Sequence, residues 1–258
     1  MRRALSLVLA ASAALLLPLL GVGQPGQAVA PPAAPVKAPA QVTVIQAVPG
    51  ATVDVSVDGR SVATGAAVGD ILGPFDLAPG SHEVTFSGGG TDVASTLDVA
   101  AGASTDVVLH LPAAVDGDPV VHTYDAPTGA IGPGKARVVL AHTATVAPAD
   151  VRVDGETVFT NIANGEFAEA ELPAGTHEVA LLPTGRTSDP ILGPLDVPLE
   201  ARTLSMIYAY GNPQDASMNV IAHTSVLAAD GAVRPTTIDT GSASLADGVT
   251  VTPFQLGR

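Results

Sequence analysis

The sequence contains no cysteine and no tryptophan, and aromatic residues make up only 3% of its 258 residues. The absence of cysteine excludes disulfide bonds and thiolate metal sites. The scarcity of aromatic side chains argues against an aromatic-lined cleft, which small-molecule sites usually have. Because 47% of the residues are hydrophobic, we expect cores built from small branched side chains, which suits thin β-sandwiches.

Basic residues are also scarce, with 11 Lys and Arg against 25 Asp and Glu and a net charge of −14. Loss of Arg2 and Arg3 with a leader would make the charge two units more negative, or −16. Such a surface repels phosphate backbones and anionic lipid. We therefore predict neither nucleic acid nor a membrane surface as a partner.

Residues 1–30 have the layout of a secretory signal peptide. Arg2 and Arg3 precede an apolar run from Ala4 to Leu20, and small residues follow it. Cleavage after Ala28 is preferred, because cleavage after Ala30 would leave Pro31 at the new N-terminus. The alternative is an uncleaved anchor, for which the apolar run is only marginally long enough. We predict a protein that is secreted or associated with the cell envelope, without a transmembrane segment in the mature chain.

The mature chain contains an internal duplication. Val53–Gly59 (VDVSVDG) recurs as Ala149–Gly155 (ADVRVDG), with the two-residue period of a half-buried strand before an Asp-Gly turn. Leu77–Val84 (LAPGSHEV) recurs as Leu172–Val179 (LPAGTHEV). The offsets of 96 and 95 residues indicate duplication of a whole domain.

Short strands separated by turn residues predict an all-β fold of two tandem Ig-like or Greek-key β-sandwich domains. A prealbumin-like sandwich would give the same pattern and stays open. We divide the mature chain into a Pro/Ala-rich spacer, a first repeat, a linker, a second repeat and a tail (31–40, 41–111, 112–134, 135–224 and 225–258). Within the linker Val120–Tyr124 could form a strand, and in the tail Gly248–Phe254 could add one to a sheet edge.

These duplicated motifs, with Asn161–Phe167 (NIANGEF) and Ser217–Thr224 (SMNVIAHT), resemble the repeated domain of unknown function family 4397. The resemblance covers about Gln41–Thr224 and is closer in the second repeat. It implies tandem β-sandwich modules of exported bacterial proteins, in the envelope or outside the cell. Because the family has no established activity, it implies no catalytic residues.

Two pairs of aspartates raise the question of a calcium site: Asp54 with Asp58, and Asp150 with Asp154. Calcium needs six to eight oxygen ligands, but strand residues four apart are about 13 Å from each other at 3.3 Å per residue. We therefore predict a solvated outer face ending in a turn, and no metal.

The histidines lack zinc-site spacing. His82 and His177 occupy equivalent strand entrances, where we predict that they bond backbone carbonyls at the sandwich rim. A buried network of His142 with His223, on the first and last strands of one repeat, stays possible. The two others, His110 and His122, are predicted to be structural.

Three further motifs resemble functional ones. Residues 129–136 (GAIGPGKA) nearly match a phosphate-binding loop, but Pro133 removes an amide, Ala136 replaces the Mg²⁺-binding hydroxyl, and a strand follows instead of a helix. Residues 182–185 (LPTG) lack one residue of a sortase signal and are predicted to be a turn. Glu169 and Glu171 share one strand face without any sign of a raised pKa.

The sequence thus favours a non-catalytic structural or interaction module that acts on an envelope or extracellular protein or polymer, with no cofactor. A small-ligand or glycan-binding module is the alternative, although Tyr124, Tyr208 and Tyr210 are the only tyrosines that could stack on a sugar. An exported enzyme is a third hypothesis. It would require His142, His223 or the acidic pairs to meet in one pocket.

Overall fold

The computed structural model describes residues 37–228, 231 and 233–234, and these residues form strands, turns and loops. The first eight strands are β1 (Ala40–Gln46), β2 (Thr52–Val57), β3 (Arg60–Ala67), β4 (Ile71–Leu77), β5 (Gly80–Gly88), β6 (Thr91–Val99), β7 (Ser104–His110) and β8 (Val120–Asp125). The others are β9 (Lys135–Ala144), β10 (Ala149–Val153), β11 (Glu156–Ile162), β12 (Phe167–Pro173), β13 (Gly175–Pro183), β14 (Leu192–Leu199), β15 (Thr203–Gly211), β16 (Asn219–Leu227) and β17 (Val233–Arg234). The signal peptide, most of the spacer and the strand predicted at 248–254 lie outside the described residues.

The strands form four sheets, two for each repeat. We call β3-β2-β5-β6 the first outer sheet and β4-β1-β7-β8 the first inner sheet. In the second repeat, β11-β10-β13-β14 is the second outer sheet and β12-β9-β15-β16-β17 the second inner sheet. Val, Leu and Phe side chains of both first sheets share one core, and two further apolar clusters fill the second sandwich. The prediction of an all-β fold with two tandem sandwiches is confirmed.

The strand order is the same in both sandwiches and separates the alternatives left open above. In an immunoglobulin domain the first strand pairs with the second. Here β1 lies between β4 and β7 and runs parallel to β7, and β9 lies in the same way between β12 and β15. This is the order of a prealbumin-like sandwich. The strand predicted within the linker is β8, which pairs with β7 and completes the first inner sheet.

The Asp-Gly pairs close the two equivalent hairpins. Asp58 and Gly59 have φ values of 50° and 73°, and Asp154 and Gly155 have values of 52° and 84°. Positive φ at both central residues matches the right-handed twist of the flanking strands. The repeated VDG motif therefore fixes the register of β2 with β3 and of β10 with β11.

The two inner sheets pack against each other and join the sandwiches into a stack of four sheets. One apolar cluster contains Ile45 and Val108 of the first repeat together with Met206, Tyr208 and other residues of the second. Because β7 and β15 are buried on both faces, nearly all of their side chains are shielded from solvent. The described part of the chain contains no helix that could span a membrane.

Candidate functional site

The repeated motifs place an aspartate and a histidine side by side at the rim of each sandwich. Asp58 Oδ2 lies 2.7 Å from His82 Nδ1, and the Nε2–H of His82 donates to the Ala78 carbonyl at 2.7 Å. Asp58 Oδ1 also accepts the Glu83 amide at 3.0 Å. Since both ring nitrogens face oxygen acceptors, the arrangement favours the imidazolium. The prediction that His82 bonds a backbone carbonyl is confirmed.

The second repeat contains the same arrangement in Asp154, His177 and Pro173. The two imidazole contacts are 2.7 and 2.8 Å long. The Pro173 carbonyl, with support from Asp154, raises the pKa of His177 above its usual value. The His177 hydrogen bond and the Glu178 amide lower the pKa of Asp154. The Asp–His pair thus connects the β2–β3 turn to β5 in the first repeat and the β10–β11 turn to β13 in the second.

The other two aspartates bind backbone amides. Asp54 is exposed and accepts the Gly65 amide at 2.8 Å. Asp150 accepts the amides of Asn161 and Gly185, both at 2.8 Å. The prediction of a solvated face is wrong for Asp150, which is 6% exposed, because β11 and the turn after β13 both bind its carboxylate.

A polar cluster that the sequence did not indicate lies between the inner sheets. Asp106 on β7 accepts hydrogen bonds from the Tyr208 hydroxyl on β15 and from His223 Nε2 on β16, both at 2.5 Å and both on Oδ2. All three side chains are buried. The carboxylate of one repeat is therefore bound by two donors from the other.

Burial governs the protonation of this cluster. Desolvation raises the pKa of Tyr208 well above its usual value, and the neighbouring Asp106 carboxylate raises it further. Desolvation acts to lower the pKa of His223, but the charge of Asp106 and its hydrogen bond outweigh that effect, so the pKa lies above its usual value. The shifts therefore keep Tyr208 as a phenol that donates to Asp106, and they favour the charged form of His223.

A second contact between the repeats involves two histidines. His110 Nε2 lies 2.8 Å from His122 Nδ1, and His110 Nδ1–H donates to the Leu111 carbonyl at 2.8 Å. Gly165 of the second repeat lies against the His122 ring, since a Cβ there would be 2.5 Å from Nε2. Asn164 donates to the carbonyls of Leu111 and Ala144, one in each repeat.

His142 is not part of a network with His223. Its ring is fully buried, and neither nitrogen has a hydrogen-bond partner. At the 96-residue offset its counterpart is Gln46, whose side chain bonds the backbone of Val48 and Ala51. In the first repeat, Gln46 therefore binds the loop that follows the first strand. In the second repeat, His142 occupies the equivalent position without such hydrogen bonds.

In the segment that resembles a phosphate-binding loop, two carbonyl oxygens instead bind a cation. The guanidinium of Arg137 donates to the Gly129 and Ala130 carbonyls at 3.2 and 3.4 Å. A phosphate cradle presents amide hydrogens, whereas this segment presents carbonyl oxygens. Glu171 and Glu169 also contact Arg137, at 2.7 and 3.3 Å, and the Arg137 hydrogen bond lowers the pKa of Glu171.

The remaining predicted features lie apart from these clusters. Thr184 and Gly185 form a turn after β13, as predicted. In the described part of the chain, no three His, Asp or Glu side chains converge on a metal position. Two open grooves of about 680 and 530 Å³ lie along β11–β12 and along β3–β4. None of the six histidines lines either groove.

The fold and these contacts define a class: an all-β protein of two packed sandwiches whose titratable side chains hold turns, loops and the contact between repeats. Residues 40–152 match the model of the family described as Domain of unknown function (DUF4397). The match confirms the predicted family for this part of the chain, from β1 to β10. No curated protein matches the chain.

Proposed function

We propose that the protein is an exported, non-catalytic module that serves a structural or interaction role in the cell envelope or the secreted fraction. The observation that carries this proposal is the contact between the inner sheets. Asp106, Tyr208 and His223 have the residue types of a catalytic constellation, but they bind one another across a closed interface. A side chain that reacts with a substrate must be reachable from solvent or from a cleft.

The joined sandwiches also suit a module that presents surfaces. Their shared apolar cluster holds the two repeats as one body, so loops and outer sheets of both repeats face solvent in a fixed arrangement. Binding sites are often found on loops that a rigid scaffold positions. We infer an envelope or extracellular protein or polymer as the partner.

Export is tested by fractionation of a bacterium that expresses the full chain, with a version that lacks residues 1–30 as the matched control. We expect the full chain in the envelope or culture fluid and the truncated chain in the cytoplasm. Retention of both in the cytoplasm would contradict export.

The interaction role is tested by a pull-down from envelope extract and culture fluid. The protein is the bait, and the Asp106→Ala variant, which disturbs the contact between repeats, serves as the control. We expect a retained component that the variant binds less well. Equal retention by both would show that the fixed arrangement of the repeats is not needed.

A further inference from the structure

His110 and His122 form a pair of titratable groups at the contact between the repeats. His110 is completely buried, and His122 is half-buried. The two rings are tilted by 31°, with centroids 4.9 Å apart. We propose that this pair is an acid-sensitive latch, whose double protonation opens the contact between the sandwiches while each sandwich stays folded.

The hydrogen bonds define where protons can be accommodated. The Leu111 carbonyl can only accept, so Nδ1 of His110 carries a hydrogen and Nε2 of neutral His110 is an acceptor. His122 therefore donates its Nδ1–H to His110, and its own Nε2 carries the lone pair. A proton added to His122 enters at Nε2, against Gly165. A second proton, on His110, makes both facing nitrogens donors and abolishes their hydrogen bond.

The segment that rests on this pair belongs to the other repeat. Gly165 lies against the His122 ring and its carbonyl accepts the Tyr124 hydroxyl at 3.2 Å. Asn164 reaches the Leu111 carbonyl, which also binds His110. Two adjacent cations on His110 and His122 would thus lie directly against Asn164 and Gly165, through which the second repeat contacts the first.

Few groups nearby could neutralise these cations. His142, on β9, acts on His110 with the same sign as His122. Asp106, on β7, is bound by Tyr208 and His223. Glu166, beside Gly165, accepts the Ala163 amide through its carboxylate. Among the described residues, no carboxylate is a cause of the pKa shift of either histidine.

The pH range follows from the direction of the shifts. Desolvation lowers the pKa of His110 to about 4, and it also lowers the pKa of His122. A group whose folded pKa is lowered in this way stabilises the contact at pH values above the ordinary imidazole pKa of about 6.5. That contribution is lost as the pH falls through the folded value. The contact should therefore weaken below about pH 6.5 and open near pH 4.

The chain contains its own reporter of this contact. It has three tyrosines and no tryptophan, and Tyr124, Tyr208 and Tyr210 all belong to the apolar cluster between the sheets. The near-UV circular dichroism of tyrosine therefore reports the contact, and the far-UV signal reports the strands.

The test is a pH titration of both signals for the purified protein, for the double variant His110→Gln with His122→Gln, and for the rim variant His82→Gln. We expect the tyrosine signal to fall near pH 4 before the far-UV signal changes. The double variant should lose this transition or shift it by at least about one pH unit to lower pH, whereas the rim variant should keep it.

Simultaneous loss of both signals, or an unchanged transition in the double variant, would overturn the proposal. If the double variant does not fold, the imidazole carbon resonances of the natural protein give a second measurement. Their titration must then coincide with the tyrosine transition, and a separate midpoint for both histidines would also overturn the proposal.

Discussion

Replacement of Asp106 by alanine should destabilise the protein more than any exposed aspartate could. Asp106 is 3% exposed and binds two buried donors through one oxygen. Its loss leaves the Tyr208 hydroxyl and His223 Nε2 without an acceptor, and each unsatisfied buried group costs roughly 1–3 kcal/mol. Breaking a buried ion pair costs about 3–5 kcal/mol in general. We therefore expect the free energy of unfolding to fall by about 3–5 kcal/mol.

Companion variants separate the pairing from general packing. Tyr208→Phe removes one donor but leaves Asp106 bound to His223, so it should cost about 2 kcal/mol, in the range for hydrogen bonds to charged groups. The double variant Asp106→Ala with Tyr208→Phe should cost less than the sum of the two, since both changes remove one shared bond. The control is Asp98→Ala, an exposed strand residue of the same sandwich, which should stay within about 0.5 kcal/mol of the natural protein.

The assay is urea unfolding followed by tyrosine circular dichroism and by the far-UV signal. A loss of less than about 1 kcal/mol for Asp106→Ala, similar to that of the exposed control, would refute the reasoning. It would mean that water reaches the cluster and replaces the carboxylate, so that the inner sheets are not closed around it.

Three other substitutions test the remaining contacts by the same unfolding assay. Gly165→Ala should lower the free energy of unfolding by about 2–4 kcal/mol, because Gly165 has a φ of +89° and a Cβ there would collide with the His122 imidazole. Gly155→Ala is the control: with a φ of +84° and open space around it, it should cost only the backbone strain of about 1–2 kcal/mol. Equal losses for the two variants would refute the close approach of Gly165 to His122. His142→Gln should raise stability by about 1 kcal/mol, since Gln46 shows that an amide there bonds the backbone, and a loss of stability would refute the equivalence. His177→Gln should destabilise the protein most near pH 5 and less at pH 9. The raised pKa of His177 stabilises the fold below about pH 6.5, and this contribution disappears as the pH rises through the pKa of the folded protein. A loss of stability that is the same at all pH values would refute this role of His177.

The features that depend on local sequence were predictable. The period of two predicted the strands that end in the Asp-Gly pairs, and these pairs located the two hairpins, because both signals arise from residues adjacent in the chain. The equivalent positions of His82 and His177, next to turns in a duplicated frame, were enough to predict their bonds to backbone carbonyls. The strand order was not accessible, because it depends on the pairing of the first strand with the seventh, more than sixty residues away.

The contact between the repeats shows where a single sequence becomes insufficient. A half-buried strand alternates, whereas β7 and β15 are buried along their length and carry apolar residues on both faces. This departure from alternation predicts that a second layer covers the inner sheets. It does not identify the layer, because a continuous apolar strand is equally compatible with a partner sheet or a helix.

The same limit applies to Asp106. A lone carboxylate in an apolar strand predicts a buried polar partner, since an isolated buried charge is too costly to keep. Its partners are 102 and 117 residues further along the chain, so only the three-dimensional stacking of the two repeats brings them together. The second repeat has no carboxylate at the position equivalent to Asp106. By the common register of the parallel strand pairs, that position is occupied by Met206. The contact is thus asymmetric in chemistry although the sheets that form it are equivalent, and this asymmetry favours pairing between unlike repeats over pairing of one repeat with its own copy.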